Sequence, residues 1–114
     1  MITRGAQAEQ LAAQFLLRHG LKLLQQNYRC RYGEIDLILH DGITLVFAEV
    51  RLRSRNNFGG AAASINAAKQ AKLVRTAQHY LATLAQIPPC RFDAILLKTV
   101  DGSDIEWIKN AFGT

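Results

Sequence analysis

Residues 33–51 read GEIDLILHDGITLVFAEVR. From Gly33 to His40, Glu34, Asp36 and Ile38 alternate with Ile35, Leu37 and Leu39, the two-residue period of a strand. Asp41-Gly42 is a two-residue hairpin signal, and Thr44 to Arg53 resumes β-rich sequence, so two antiparallel strands are predicted. With Asp41 and Gly42 as the turn, His40 faces Ile43 and Glu34 lies opposite Glu49. Glu34, Asp36, Glu49, Arg51 and Arg53 then share one face, with Asp36 diagonal to Glu49 at roughly 7–8 Å between Cα atoms. A bulge or a longer turn would change this register.

On the N-terminal side, Ala8, Leu11, Ala12, Phe15 and Leu16 recur at helical spacing between Arg4 and His19, and Gly20 follows as a stop. Leu21 to Tyr28 reads as a strand. On the C-terminal side, Ser54 to Gly60 reads as an exposed loop. A long helix is expected from Ser64 to Gln86, with Leu73, Ala77, Tyr80, Leu81 and Leu84 as its apolar stripe and Pro88-Pro89 beyond its end. Its other face carries Lys69, Lys72 and Arg75. Cys90 to Val100 is a further strand, Asp101-Gly102 a turn and Asp104 to Lys109 a last short strand. The predicted order is αβββαββ, an α/β fold with helices flanking a mixed central sheet.

A chain of 114 residues suits a single domain, 1–114. Apolar residues make up 49% and charged residues 20%, a globular composition. Lys and Arg number 14 against 9 acids; placing Glu9, Asp36 and Glu49 in one site leaves six acids against those 14. Such a surface suits an anionic partner, most often nucleic acid. Cys30 and Cys90 lack metal-ligand spacing, and no signal peptide is evident, so a cytoplasmic protein with reduced thiols is expected. No apolar stretch approaches the roughly 20 residues that span a bilayer.

Carboxylates facing each other across a hairpin repel and need compensation. A bound cation would supply it, and oxygen-only ligands point to Mg²⁺ or Mn²⁺ rather than zinc. The plainer alternative is a solvated face on which Arg51 and Arg53 neutralise the acids. Arg91 and Asp93, on one face of a strand, read as a structural ion pair. His19, His40 and His79 share no ligand spacing and are read as non-catalytic, and Tyr80, Trp107 and Phe112 as packing residues. Arg29 and Arg31 are within reach of a backbone phosphate or belong simply to a loop.

Gly33-Glu34-Ile35-Asp36-Leu37, followed after a hairpin by Phe47-Ala48-Glu49-Val50-Arg51, resembles the PD-(D/E)XK nuclease signature. The whole chain resembles the YraN-like family of uncharacterised bacterial proteins, whose fold is similar to archaeal Holliday-junction resolvases. The matching runs are Ala8-Glu9, Asn27-Tyr28-Arg29, the Gly33 run, Phe58-Gly59, Lys69, Arg91-Phe92-Asp93 and Asn110-Ala111-Phe112. The resemblance implies a restriction-endonuclease-like fold and a metal-dependent endonuclease acting on DNA, with branched or damaged DNA as a candidate substrate. It implies Asp36 and Glu49 as metal ligands, joined by the Val50 carbonyl, with Glu9 as the helix acid of the site. Glu9 is otherwise an ordinary flank residue of an amphipathic helix. Small neighbours at Gly5, Ala12 and Ala13 would let that helix approach the sheet.

Glu34 adds a fourth carboxylate, and Glu9, Asp36, Glu49 and Arg51 form the expected catalytic set. The signature has lysine two residues after the second acid, where this chain has Arg51. Arginine grips phosphate but does not act as a general base near neutral pH. A non-catalytic nucleic-acid-binding module is therefore the alternative, with Arg53, Arg55, Lys69 and Lys72 as phosphate contacts in either case. A third reading is an assembly protein without nucleic acid, which the charge balance disfavours. Resolvases of this fold act as dimers, so a homodimer is implied by resemblance, although no residue pattern here fixes an oligomeric state.

Overall fold

The computed structural model describes residues 3–52, 65–99 and 101–112. Helix α1 (Arg4–Arg18) precedes strands β1 (Lys22–Cys30), β2 (Gly33–Asp41) and β3 (Thr44–Leu52). Helix α2 (Ala67–Leu81) and strands β4 (Cys90–Leu97) and β5 (Ile105–Phe112) complete the αβββαββ order expected from sequence. The strands form one sheet in the order β1-β2-β3-β4-β5, antiparallel throughout except for the parallel β3–β4 pair. Parallel neighbours need a crossover connection, and α2 lies within it.

The helices cover opposite faces of the sheet. Ala8, Ala12, Ala13 and Leu16 of α1 pack with Leu37, Leu39, Val46, Ala48, Ile95 and Leu97. Because three of the four helix residues are alanines, the backbone comes close to the sheet. On the other face, Leu73 and Ala77 of α2 pack with Ile35, Ile38, Leu45, Phe47, Phe92 and Ala94. Trp107 borders the first cluster, and Tyr80 and Phe112 the second, in the packing roles expected of them.

The cap chemistry sets the helix starts. Thr3 Oγ1 accepts from Ala6 N at 3.0 Å, and Asn66 Oδ1 accepts from Lys69 N at 2.9 Å. The second helix is shorter than the Ser64–Gln86 span predicted, because the Asn66 cap begins it late and Leu81 ends it. The Thr83 hydroxyl donates to the Tyr80 carbonyl at 2.6 Å, in a turn that replaces the next helical turn. Leu84 packs on the second core from this turn, so the apolar stripe outruns the helix.

The hairpin register also differs from expectation. Asp41 pairs with Thr44, so the turn is Gly42-Ile43, and Leu37 lies opposite Ala48. Gly42 has φ 61° while Ile43 is not in the positive-φ region. A glycine-first turn of this kind needs only the glycine there, whereas an Asp-Gly turn would also put Asp41 in the left-handed region. The shift is two residues, so the alternation of faces is preserved, but Glu34 is no longer opposite Glu49. Continued beyond Leu37 and Ala48, the observed register brings Asp36 beside Glu49.

Asp93 has a fully buried side chain and explains two of the sequence runs at once. It accepts from Arg91 Nε at 3.0 Å, Trp107 Nε1 at 2.9 Å and the Asn110 backbone N–H at 2.9 Å. The β4–β5 register slips between Phe92 and Ala94, and Asn110 adopts φ 53°. The carboxylate thus satisfies a backbone donor that the bulge removes from the ladder. Arg91 also reaches Asp41 at 2.8 Å, which ties the hairpin to β4, and Phe92 stacks on Phe112 at 4.8 Å. The Arg91–Asp93 pair is structural, as expected. Asp93→Asn removes the charge and leaves at least one donor unpaired, so a loss of about 2 kcal/mol is expected. Urea unfolding followed by Trp107 fluorescence measures it, and an unchanged midpoint would contradict this role for Asp93.

Candidate metal centre

The ladder between β2 and β3 ends at Leu37 and Ala48. Beyond it the strands part, and Asp36 Oδ2 accepts from Val50 N at 2.8 Å, so a side chain takes over a backbone donor. The pleat is irregular here: Ile35 and Ile38, three residues apart, enter the same core cluster. Asn27, between the pairs Gln26–Leu37 and Tyr28–Ile35 of the neighbouring strand, has φ 53°. The strict alternation expected of Glu34, Asp36 and Ile38 therefore does not hold through Asp36.

This break opens a cleft of about 650 Å³ between the N-terminal parts of both helices. Gly5, Ala8 and Glu9 line it from α1, and Asn66, Lys69 and Lys72 from α2; Glu34, Asp36, Glu49 and Arg51 come from the sheet. Gly33 lets α2 pass close by, because a Cβ there would lie 3.2 Å from Thr76 Oγ1 and its φ is 152°. Glu9, Glu34 and Asp36 each offer an oxygen within 4.8 Å of the others. Glu49, 7% exposed, lies beside Asp36. The fold thus brings together all four carboxylates expected from sequence, along with Arg51, Lys69 and Lys72. Arg53 and Arg55, and the Phe58-Gly59 run, lie outside the described residues.

Burial and mutual repulsion set the electrostatics of the acids. Burial pushes the Glu49 carboxyl up to about 9, reinforced by the neighbouring Asp36 and Glu34. Arg51 opposes this only weakly, with Nη2 3.9 Å from Glu49 Oε1. Arg51 Nε is buried and has no hydrogen-bond partner among the described residues. Glu9 is also raised, first by burial and then by Asp36, although a hydrogen bond with Asn27 works the other way. Glu34 has its own cation, Arg29 Nε at 2.6 Å. Burial and the neighbouring acids thus favour the protonated form of Glu49.

These residues fit a hard divalent cation. The donors are all carboxylate oxygens, as Mg²⁺ and Mn²⁺ prefer. At bonds of roughly 2.1 Å, opposite ligand oxygens lie about 4.2 Å apart and adjacent ones about 3.0 Å, so the Glu9, Glu34 and Asp36 oxygens, within 4.8 Å of one another, would draw closer on holding one ion. Glu49 would join such a set only in its deprotonated form.

Two participants were not singled out in the sequence for these roles. Asn27 was visible only as part of a motif run, and its left-handed backbone, a conformation asparagine tolerates, brings it to Glu9. Asn66 was legible as a cap residue ahead of an alanine-rich stretch. None of His19, His40 and His79 lines the cleft. His19 Nδ1 meets the Phe15 carbonyl at 2.8 Å, and His79 meets the Tyr28 hydroxyl.

Fold and site together define a small α/β domain with a carboxylate cluster where two strands of a mixed sheet diverge. The uncharacterised protein family UPF0102 matches residues 8–97, and the chain belongs to that family. A UPF0102 protein of Nitrosospira multiformis is 60% identical over 109 residues, covering 96% of this chain and 92% of its own. One from Nitrosomonas europaea is 59% identical, covering 96% and 92%. One from Methylobacillus flagellatus is 56% identical, covering 95% of each. No helix among the described residues is long and apolar enough to cross a membrane.

Proposed function

We propose that this protein is a metal-dependent endonuclease that hydrolyses phosphodiester bonds in DNA, with branched or damaged DNA as the intended substrate. The observation that carries this reading is the convergence of Glu9, Glu34, Asp36 and Glu49 on one cleft, where burial and the neighbouring acids push the Glu49 carboxyl up. It is supported by the likeness of the Gly33 and Phe47 runs to the PD-(D/E)XK signature.

Glu9, Asp36 and Glu49 would hold Mg²⁺ or Mn²⁺, with Glu34 as a further ligand if Arg29 releases it. The cation, when bound, acidifies water and offsets charge on the phosphoryl oxygens. Asp36, fixed by the Val50 N–H, keeps its carboxylate aimed into the cleft. Arg51 grips a nonbridging oxygen through its guanidinium and stabilises charge as it develops. Lys69 and Lys72, across the cleft, draw the phosphate backbone in.

The test is purified protein with Mg²⁺ or Mn²⁺ on single-stranded, duplex, flap and four-way DNA. Cutting of at least one substrate, abolished by chelation, is expected; no cutting of any would defeat the proposal. Arg51 favours a second reading, a binding module without turnover, because guanidinium cannot replace lysine as a proton acceptor. Arg51→Lys separates the two. A faster variant means that Arg51 limits turnover in a working nuclease. A native protein and variant that are both inert yet bind DNA favour the module.

A further inference from the structure

We infer that a second depression, one helical turn along α2 from the acidic cleft, is a stacking subsite for an unpaired nucleotide of single-stranded DNA. This rests on the proposed action on DNA and specifies which part of the substrate the protein holds. The depression, of about 470 Å³, is lined by Tyr32, Arg75, Gln78 and His79. It adjoins the cleft on both sides. Tyr32 precedes Gly33 and Glu34, which line the cleft, and Arg75 follows Lys72 by three residues, about 4.5 Å along a helix axis.

Its chemistry is that of a single-strand site. The Tyr32 ring offers a π surface, covered on one side by the Arg31 guanidinium 4.9 Å from the centroid. Arg31 Nη2 also donates to the Tyr32 hydroxyl at 2.7 Å, and His79 meets the ring edge-on at 6.3 Å. The ring is therefore held in place from two sides. Among the described residues no carboxylate pairs with Arg31 or Arg75, so both are available to phosphate. Aromatic rings interleaved with unpaired cations bind unstacked bases and the backbone between them, and any base can stack. A base in a continuous duplex has its faces covered by its neighbours and cannot use Tyr32. A strand whose scissile phosphate lies in the acidic cleft would place an adjacent unpaired nucleotide over Tyr32, as at a junction, flap or lesion.

Binding is measured in EDTA, so that it does not depend on catalysis, by fluorescence anisotropy of the full chain with labelled (dT)₁₅, a 15-base-pair duplex and (rU)₁₅. Tyr32→Ala is expected to weaken (dT)₁₅ binding by about 10-fold or more and duplex binding by less than about 2-fold. Tyr32→Phe, which keeps the ring, should stay within about 3-fold of native on both. Arg75→Gln should lower the slope of log affinity against log salt for (dT)₁₅ by about 0.7. Native-like (dT)₁₅ binding by Tyr32→Ala overturns the subsite, as does equal loss on duplex and single strand. A Tyr32→Phe variant as weak as Tyr32→Ala also overturns it. Tighter native binding of (rU)₁₅ than of (dT)₁₅ overturns the DNA assignment. Failure of cleavage with these binding results intact would count against the nuclease alone.

Discussion

Glu49→Gln is expected to lower metal-dependent cleavage by about 1,000-fold, within the range seen when one preorganised charge-stabilising group is removed. The amide matches the carboxylate in size, and Glu49 contributes no backbone cap, so the loss reports on the cation and not on the fold. Asp36→Asn should lose activity to a similar degree while its amide oxygen still accepts from Val50 N, now 2.8 Å from the carboxylate. Asp36→Ala is less informative, because an unpaired buried N–H costs about 1–3 kcal/mol of stability. Initial rates at saturating Mn²⁺ on the substrate the native protein cuts best provide the measurement. A Glu49→Gln enzyme with native rates would sink the metal-centre assignment.

The second large effect is on stability and runs opposite to the first. Burial pushes the Glu49 carboxyl up to about 9 in the fold, from an ordinary value of 4.5. Between these values the folded state holds a proton that the unfolded chain has released. Stability of the metal-free protein therefore falls as pH rises from about 4.5 to about 9. By pH 7 the loss from this group is on the order of 3 kcal/mol. Glu49→Gln should lack this component, and at pH 7 it should be more stable than the native protein by up to that amount. Mg²⁺ should raise the melting temperature of the native protein at pH 8 but barely shift the variant, because ligand binding stabilises only the state that binds it. The Glu9 carboxyl shifts in the same direction, so the informative quantity is the difference between native and variant. Parallel pH profiles for the two would refute the account.

A variant that is inactive yet more stable is the pattern expected where a site is assembled at the expense of the fold. Four acids in one cleft weaken the metal-free domain. The buried Asp93 shows the contrasting arrangement, with donors from Arg91, Trp107 and Asn110 converging on it. Both are acids in a sheet, and their surroundings separate a structural acid from a candidate ligand.

Much of this is legible in the amino-acid sequence. Period-two alternation in Gly33–His40 and helical spacing in Arg4–His19 report local burial, and with the turn residues they yield the αβββαββ order. Asp36, Glu49 and Arg51 were recognisable from their spacing along one hairpin and from resemblance. The hairpin register was not, because Asp41-Gly42 and Gly42-Ile43 are both acceptable two-residue turns, and the choice depends on which residue must adopt positive φ. The end of α2 at Leu81 was likewise hidden, since Leu84 continues the apolar pattern from a turn.

The amino-acid sequence by itself determined the order of elements, the apolar stripes of the two helices and the presence of acids on one hairpin, because these depend on contacts between near neighbours. Only the tertiary structure decided that β2 and β3 part at Asp36, that Glu9 arrives from α1 and Lys69 and Lys72 from α2, and that Arg51 meets Glu49 at 3.9 Å. Those facts depend on where three separate elements meet, and on the burial that raises the Glu49 carboxyl once they do.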